Sequence, residues 1–189
     1  MEGTLVLLVV LGLVVLVPLL VLWAIYNSLV AGRLKVKESF SGIYVQLKRR
    51  ADLIPNLVTA VRGYTQHERE TLENLTKLRT EFLKVNPNDR SAVMEQGNML
   101  TQAMKSVFAV SENYPNLKAS ENFAKLQGSL EETEDQVAAA RRIYNSNVND
   151  YNTSVQQFPS NVVASWFKFA EELFFQTDQT LDEAPKVSF

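Results

Sequence analysis

The chain contains no cysteine among its 189 residues. That absence excludes disulfides, thiolate metal sites and lipid attachment through a cysteine. A single histidine, His67, excludes most zinc sites. Glycine and proline are scarce, at seven and six, so helix breakers are few where apolar residues recur at helical spacing. Excess positive charge is missing too. Only Glu2 among the charged residues precedes the first apolar run, so 19 Lys and Arg face 20 of the 21 Asp and Glu after it. A net charge of one negative there argues against nucleic acid as a partner. Enzyme signatures are also lacking. There is no glycine-rich phosphate loop and no nucleophile elbow, and the di-iron Glu-x-x-His spacing fails because Tyr64 stands three residues before His67. "HERE" at 67–70 offers His67, Glu68 and Glu70 as an acid–base or metal group, but such a run on a helix reads as a solvated face. No cofactor, metal or catalytic residue is expected.

One long hydrophobic run is present. Leu5 to Ile25 holds 21 residues without a charged or strongly polar side chain, and at about 1.5 Å per residue it spans about 30 Å, the thickness of a bilayer's hydrocarbon core. Ala24 and Ala31 could serve a signal peptidase. However, the run exceeds the roughly 7–15 residues of a signal h-region and no cationic segment precedes it, so a retained anchor is the expectation. Trp23 and Tyr26 fall where an interfacial aromatic belt belongs, and Arg33, Lys35 and Lys37 follow. This asymmetry predicts a single-pass protein with its N-terminus outside and its C-terminal domain in the cytoplasm. The predicted division is a membrane anchor over residues 1–26 and one helical domain over 27–189.

Apolar steps of three and four run from Phe40 through Ile43, Leu47, Ile54, Leu57, Val61 and Tyr64 to Leu72 and Leu75. They predict one long first helix that ends at "VNPND", where Asp89 can cap the next. A second helix is expected over Arg90–Asn113, and a third from about Ala119 to the break at Pro159. A fourth follows over Asn161–Gln176, with Ser160 as its cap, before an irregular tail. The third carries a seam from Phe123 to Tyr151 at the spacing of a coiled coil or bundle core. Within it "YNSNVND" is followed at once by "YNTSVQQ", so Tyr144, Asn145 and Val148 recur as Tyr151, Asn152 and Val155. Such pairs share one helix face. They suit a register device in a seam, or a groove for a ligand. The fold class expected is all-α: a transmembrane helix followed by an elongated antiparallel bundle of about four helices.

The stretch "LKRRADLIPNLV" at 47–58 places a proline and three consecutive cations inside the first helix. Phe40, Ile43 and Leu47 keep phase with Ile54, Leu57 and Val61 across Pro55, which predicts a kinked but continuous helix. The same phase puts Arg50 at the edge of the apolar stripe and turns Lys48 and Arg49 away. A buried guanidinium needs a partner, and Glu131, Glu132, Glu134 and Asp135 of the third helix are the candidates.

These segments resemble a known family. "YNSLV" after the run, "QLKRRADLIPNLVTAVRGYTQHE" at 46–68, "ENYPNLKASENFAKLQGSLEETEDQVAAARRIYNSNVNDYNTSVQQFPSN" at 112–161 and the closing "APKVSF" are similar to the LemA family of bacterial proteins. The resemblance covers nearly the whole chain and implies a membrane-anchored bundle of long antiparallel helices in the bacterial cell membrane, with no catalytic residues. Tyr44 departs from the acid more often found there. Some relatives carry the domain outside the cytoplasm, which keeps that topology as an alternative. In this light Arg50 and Asp52 serve polar packing, Pro55 the kink, and Asn56 a contact near it.

Two functions are expected on these grounds. One is a noncatalytic membrane scaffold or adaptor that contacts a membrane or cytoplasmic protein and its own copies. The other is a tethered sensor whose Tyr/Asn groove holds a ligand. If the first helix ran unbroken to Val85, nothing in a monomer would cover Phe40, Ile43, Leu47 and Ile54. That stripe would then join copies side by side into a homo-oligomer. Alternatively Gly32 or Gly42 would break the helix and fold it back.

Overall fold

The structure, a computed structural model, describes residues 2–64 and 68–175. Among the described residues six helices follow one another: α1 Glu2–Arg62, α2 Arg69–Lys84, α3 Arg90–Ser111, α4 Pro115–Lys118, α5 Glu121–Gln156 and α6 Ser160–Trp166. No strand occurs among the described residues. The chain forms two compact units. One comprises Met1–Ser39 with Asn145–Phe174, and the other comprises Phe40–Tyr144 with the segment that starts at Phe175.

The unit built on Phe40–Tyr144 is an up-down-up-down four-helix bundle. α2 runs against α1, with Phe82 beside Tyr44 (ring centroids 6.0 Å apart) and Arg79 beside Ala51. α3 runs along α1 in the same sense, with Arg90 over the Phe40 ring and Gly97 against Leu47. α5 returns antiparallel, pairing Tyr144 with Phe40 and Glu134 with Arg50. Asp89 caps α3 by accepting from the Ala92 N–H at 3.1 Å. Gly97 permits a close α1–α3 approach, since a Cβ there would lie 3.1 Å from a Leu47 methyl.

Three expectations are corrected here. The first helix does not continue to Val85. It stops at Arg62, where Gly63 disfavours further helix and the Tyr64 N–H turns back to the Val61 carbonyl at 3.0 Å. The apolar phase persists to Leu75 because α2 independently turns Leu72, Leu75 and Phe82 inward. The extra hairpin changes the fate of the stripe. Phe40, Ile43, Leu47 and Ile54 are at most 3% exposed within a single chain, covered by α2, α3 and α5, and so are unavailable for joining copies. Nor do Gly32 and Gly42 break the helix; both lie inside α1.

α1 also passes through Pro55 without interruption. Proline has no N–H, so the carbonyl of Ala51 loses its helical donor. Arg79 of α2 replaces that donor, with Nε 2.9 Å from the Ala51 oxygen and a guanidinium nitrogen 4.0 Å from Asp52. Arg79→Ala is therefore expected to cost about 1 kcal/mol by orphaning that carbonyl. In a Pro55→Ala background, where the helix supplies its own donor, the cost should largely vanish. A double-mutant cycle by denaturant unfolding measures the difference, and equal costs in both backgrounds would contradict this account.

In the other unit, α6 and the C-terminal part of α5 pack on α1. Leu29, Val163 and Ala164 are buried there, with Leu22, Ile25, Val155 and Phe169 around them. Tyr151 lies on Gly32, whose Cβ would come 3.2 Å from the tyrosine ring. The predicted fourth helix proves shorter than Asn161–Gln176. It ends at Trp166 because Lys168 adopts the left-handed region (φ 57°) and the Phe169 N–H reaches back to the Ala164 carbonyl at 2.9 Å. This Schellman-type stop uses lysine where glycine is usual. Ser160 is not the cap; Pro159 holds that position, and the Ser160 hydroxyl donates to the Gln157 carbonyl.

Along the apolar run the side chains point outward. Leu5 and the large apolar residues from Leu7 to Val21 stay between 46% and 69% exposed, and none of the most hydrophobic window is buried. A core helix would bury such residues. This one has the length and composition to cross a bilayer.

Candidate functional site

Arg50 occupies the centre of the bundle unit and is fully buried. One terminal nitrogen donates to Glu134 Oε2 at 2.7 Å and to Thr101 Oγ1 at 2.8 Å, and the other donates to the Gly97 carbonyl at 2.9 Å. Three helices thus meet at one guanidinium, whose planar fork suits several acceptors at once. Arg141 of α5 stands close by. Its guanidinium lies 4.4 Å from the Phe175 ring centroid and 3.4 Å from Asn98 Oδ1. Burial holds its pKa below the usual arginine value, the nearby Arg50 charge adds to that, and Glu134 opposes both. Glu134 thus bonds one of these cations and attracts the other.

Beside this cluster α3, α4 and α5 enclose a cleft of about 370 Å³. Met104, Phe108, Phe123 and Leu130 give it an apolar floor. Lys105, Lys118, Glu112 and Glu131 line its rim, and Thr101 and Glu134 stand at the end nearest Arg50. The sequence places Met104 and Phe108 in the second predicted helix and Phe123 and Leu130 in the third, but shows no sign of the cleft between them. The short α4 that closes one side of it sits inside "NYPNLKAS", which carries only breaker signals.

The other residues singled out from sequence lie apart. Arg49 faces solvent, with a loose contact to Glu132 at 3.9 Å. Asp52 is exposed. Asn56 is exposed on the wall of a more open depression of about 600 Å³ between the end of α1 and the start of α5. His67 lies outside the described residues, so the "HERE" group is not placed. Among the described residues no group of three or more His, Asp or Glu could hold a metal ion. Trp23 and Tyr26 are exposed at the end of the apolar run. Arg33 reaches Glu172 at 3.7 Å, and Lys35 and Lys37 are exposed.

The repeated Tyr–Asn pairs are used internally. In the bundle unit Tyr144 is buried, its ring 5.5 Å from Phe40, and in the other unit Asn145 is half-buried. Asn152 is 7% exposed and exchanges two hydrogen bonds with the backbone of Glu172, donating at 2.9 Å and accepting at 2.8 Å. Its amide thereby pins the segment after α6. Tyr151 is buried with its hydroxyl lacking a hydrogen-bond partner. Burial raises its pKa, Arg33 opposes the shift and Glu172 adds to it. The folded state thus holds this proton more tightly than the unfolded chain. That contribution to stability is intact below the ordinary tyrosine pKa of about 10 and is lost as pH rises through the raised value. Tyr151→Phe is expected to leave stability at pH 7 within about 1 kcal/mol of the parent and to flatten the decline above about pH 10. Denaturant midpoints across that range check it; an unchanged alkaline slope would refute it.

A sequence model of the LemA family matches residues 39–189. The chain belongs to the LemA family. The matched region opens at the boundary between the two units, so it takes in the whole four-helix bundle as well as α6. The chain is 24% identical over 153 residues to Protein LemA of Metamycoplasma hominis, an alignment covering 81% of this chain and 69% of that one. It is also 24% identical over 175 residues to Magnetosome protein MamQ 1 of Paramagnetospirillum magneticum, covering 80% of this chain and 64% of the relative. Magnetosome protein MamQ of Magnetospirillum gryphiswaldense is 22% identical over 174 residues, with 79% and 64% covered. The chain thus spans about two thirds of the length of these relatives. LemA membership and the apolar N-terminal helix together mark a membrane-associated helical protein.

Proposed function

We propose that this LemA-family chain is a noncatalytic, membrane-anchored adaptor that acts through protein–protein contact. The observation that carries this reading is the state of the α3–α4–α5 cleft. Three of its polar lining groups are already engaged, Thr101 and Glu134 with Arg50 and the buried Ser111 hydroxyl with the Phe108 carbonyl, while its floor is apolar and its rim carries charges of both signs. Such a surface suits an amphipathic helix or a large side chain of a protein partner better than a reacting substrate. Similarity to proteins named for the magnetosome fits a component of a larger cellular structure. A photo-crosslinking residue at Lys105 or Gln127, beside the cleft, should give a discrete protein adduct in native membranes. One at Thr80, exposed on α2, should not. Absence of an adduct from either cleft position, with the bundle stabilised by a small metabolite instead, would overturn the adaptor reading.

The retained-anchor reading is supported by packing. Leu22, Ile25 and Leu29 supply one side of the α6 core, so cleavage near Ala24 or Ala31 would strip that core. With Arg33, Lys35 and Lys37 following the span, we propose that the bundle faces the cytoplasm. The chain has no cysteine, so Asn116→Cys gives a unique label site on an exposed loop helix. In right-side-out membrane vesicles it should resist an impermeant maleimide until detergent is added; immediate labelling would place the domain outside.

A further inference from the structure

We infer that α6 and the turn before it form a second membrane-contact element, seated at the headgroup boundary of the bilayer that α1 enters. The inference rests on reading the apolar run as a retained span. α6 packs on α1 at Leu22, Ile25 and Leu29, and the Phe167 ring lies 4.8 Å from Tyr26. The apolar run ends at Ile25, so α6 is level with the last turn of the span and the first turn beyond it. α5 approaches the same level from the other direction, with Tyr151 against Gly32 and Val155 in the Leu29 cluster. The turn at 157–159 therefore lies further toward the run.

The chemistry of this segment suits that position. From Gln157 to Phe167 no side chain carries a charge, whereas a short solvated surface helix ordinarily carries several. Its inner face, Val163 and Ala164, is buried. Its outer face leaves Phe158 82%, Trp166 68% and Phe167 58% exposed, and Trp23 of α1 is 67% exposed at the same level. Both tryptophans of the chain stand here. Amphipathic aromatic rings concentrate where hydrocarbon meets headgroups, and aromatic surface without charge that continues a membrane span has lipid as its nearest occupant. A second protein copy is the competing occupant.

The test uses the full-length protein in phosphatidylcholine vesicles, with folding checked by circular dichroism. Trp23→Phe leaves Trp166 as the sole tryptophan, and Trp166→Phe leaves Trp23. Bromine-labelled acyl chains should quench Trp166 at least half as strongly as Trp23, most with bromine nearest the headgroups, while aqueous acrylamide quenches it weakly. If Trp23 is quenched by bromolipid and Trp166 only by acrylamide, the anchor stands and this inference fails. Shielding of Trp166 from both quenchers means protein covers it, which also overturns the inference. Failure to quench Trp23 removes the anchor and the inference together. Should Trp23→Phe not fold, Phe167→Trp with Trp166→Phe reads the same face with Trp23 as internal reference, and quenching no greater than that of Trp166→Phe alone overturns the proposal.

Discussion

Glu134→Ala is expected to cost the bundle about 3 kcal/mol, more than Arg50→Met, although the arginine makes the larger number of contacts. The asymmetry comes from exposure. The Glu134 side chain is 44% exposed and the Arg50 side chain 0%. Removing the carboxylate strands a guanidinium in the interior with Thr101 and the Gly97 carbonyl as its remaining acceptors. It also leaves the Arg141 charge nearby without its offset. Removing the arginine instead leaves a carboxylate that water can reach and a Thr101 hydroxyl already 3.0 Å from the Gly97 carbonyl. Methionine also fills most of the vacated stem volume. Arg50→Ala loses that packing as well and should cost about 3 kcal/mol. Arg49→Ala, whose side chain is 58% exposed and 3.9 Å from its carboxylate, should cost under about 0.5 kcal/mol. Denaturant unfolding of the protein in mild detergent measures all four. Similar small losses throughout would show that the interior charge is not held as described.

Phe40→Ala should destabilise the bundle unit by about 3–5 kcal/mol, the usual cost of emptying a buried aromatic site. Phe40 is 3% exposed. Its ring sits 5.5 Å from Tyr144, and the Arg90 guanidinium lies 5.7 Å from its centre. Because these neighbours belong to the same chain, the loss should not depend on protein concentration. A stability that falls steeply on dilution, with Phe40→Ala abolishing that dependence, would mean the side chain is covered by another copy.

Helix positions were legible from apolar spacing wherever strong breakers bounded them, as at Pro87 and at Pro159. The break after Arg62 was not, because Gly63 is a weak stop and the periodicity of α2 happens to continue that of α1. The end of α6 was hidden for a related reason: lysine, not glycine, takes the left-handed position at 168, so no composition signal marks it. The inward edge position of Arg50 followed from helical phase. The choice of Glu134 over its acidic neighbours did not, since phase fixes a face but not the axial stagger between helices 84 residues apart. Arg79 escaped notice altogether. Its role exists only because Pro55 orphans a carbonyl on another helix, which no local pattern in α2 records. The Tyr–Asn repeat was visible as a pattern, yet its use as an internal clasp on Glu172 depends on the chain leaving the helix at Trp166, ten residues before the apolar spacing predicts.

The cover over the α1 stripe has a consequence for synthesis. Phe40 is followed about a hundred residues later by Tyr144, the aromatic that closes over it. At roughly 5–20 residues per second, the ribosome exposes Phe40, Ile43 and Leu47 for several seconds before α5 can arrive. During that interval the bundle is half-made, and its α1 stripe lacks the aromatic that closes over it. Slow codons between α3 and α5 would lengthen this wait, and nascent chains stalled there would present uncovered apolar surface to their neighbours.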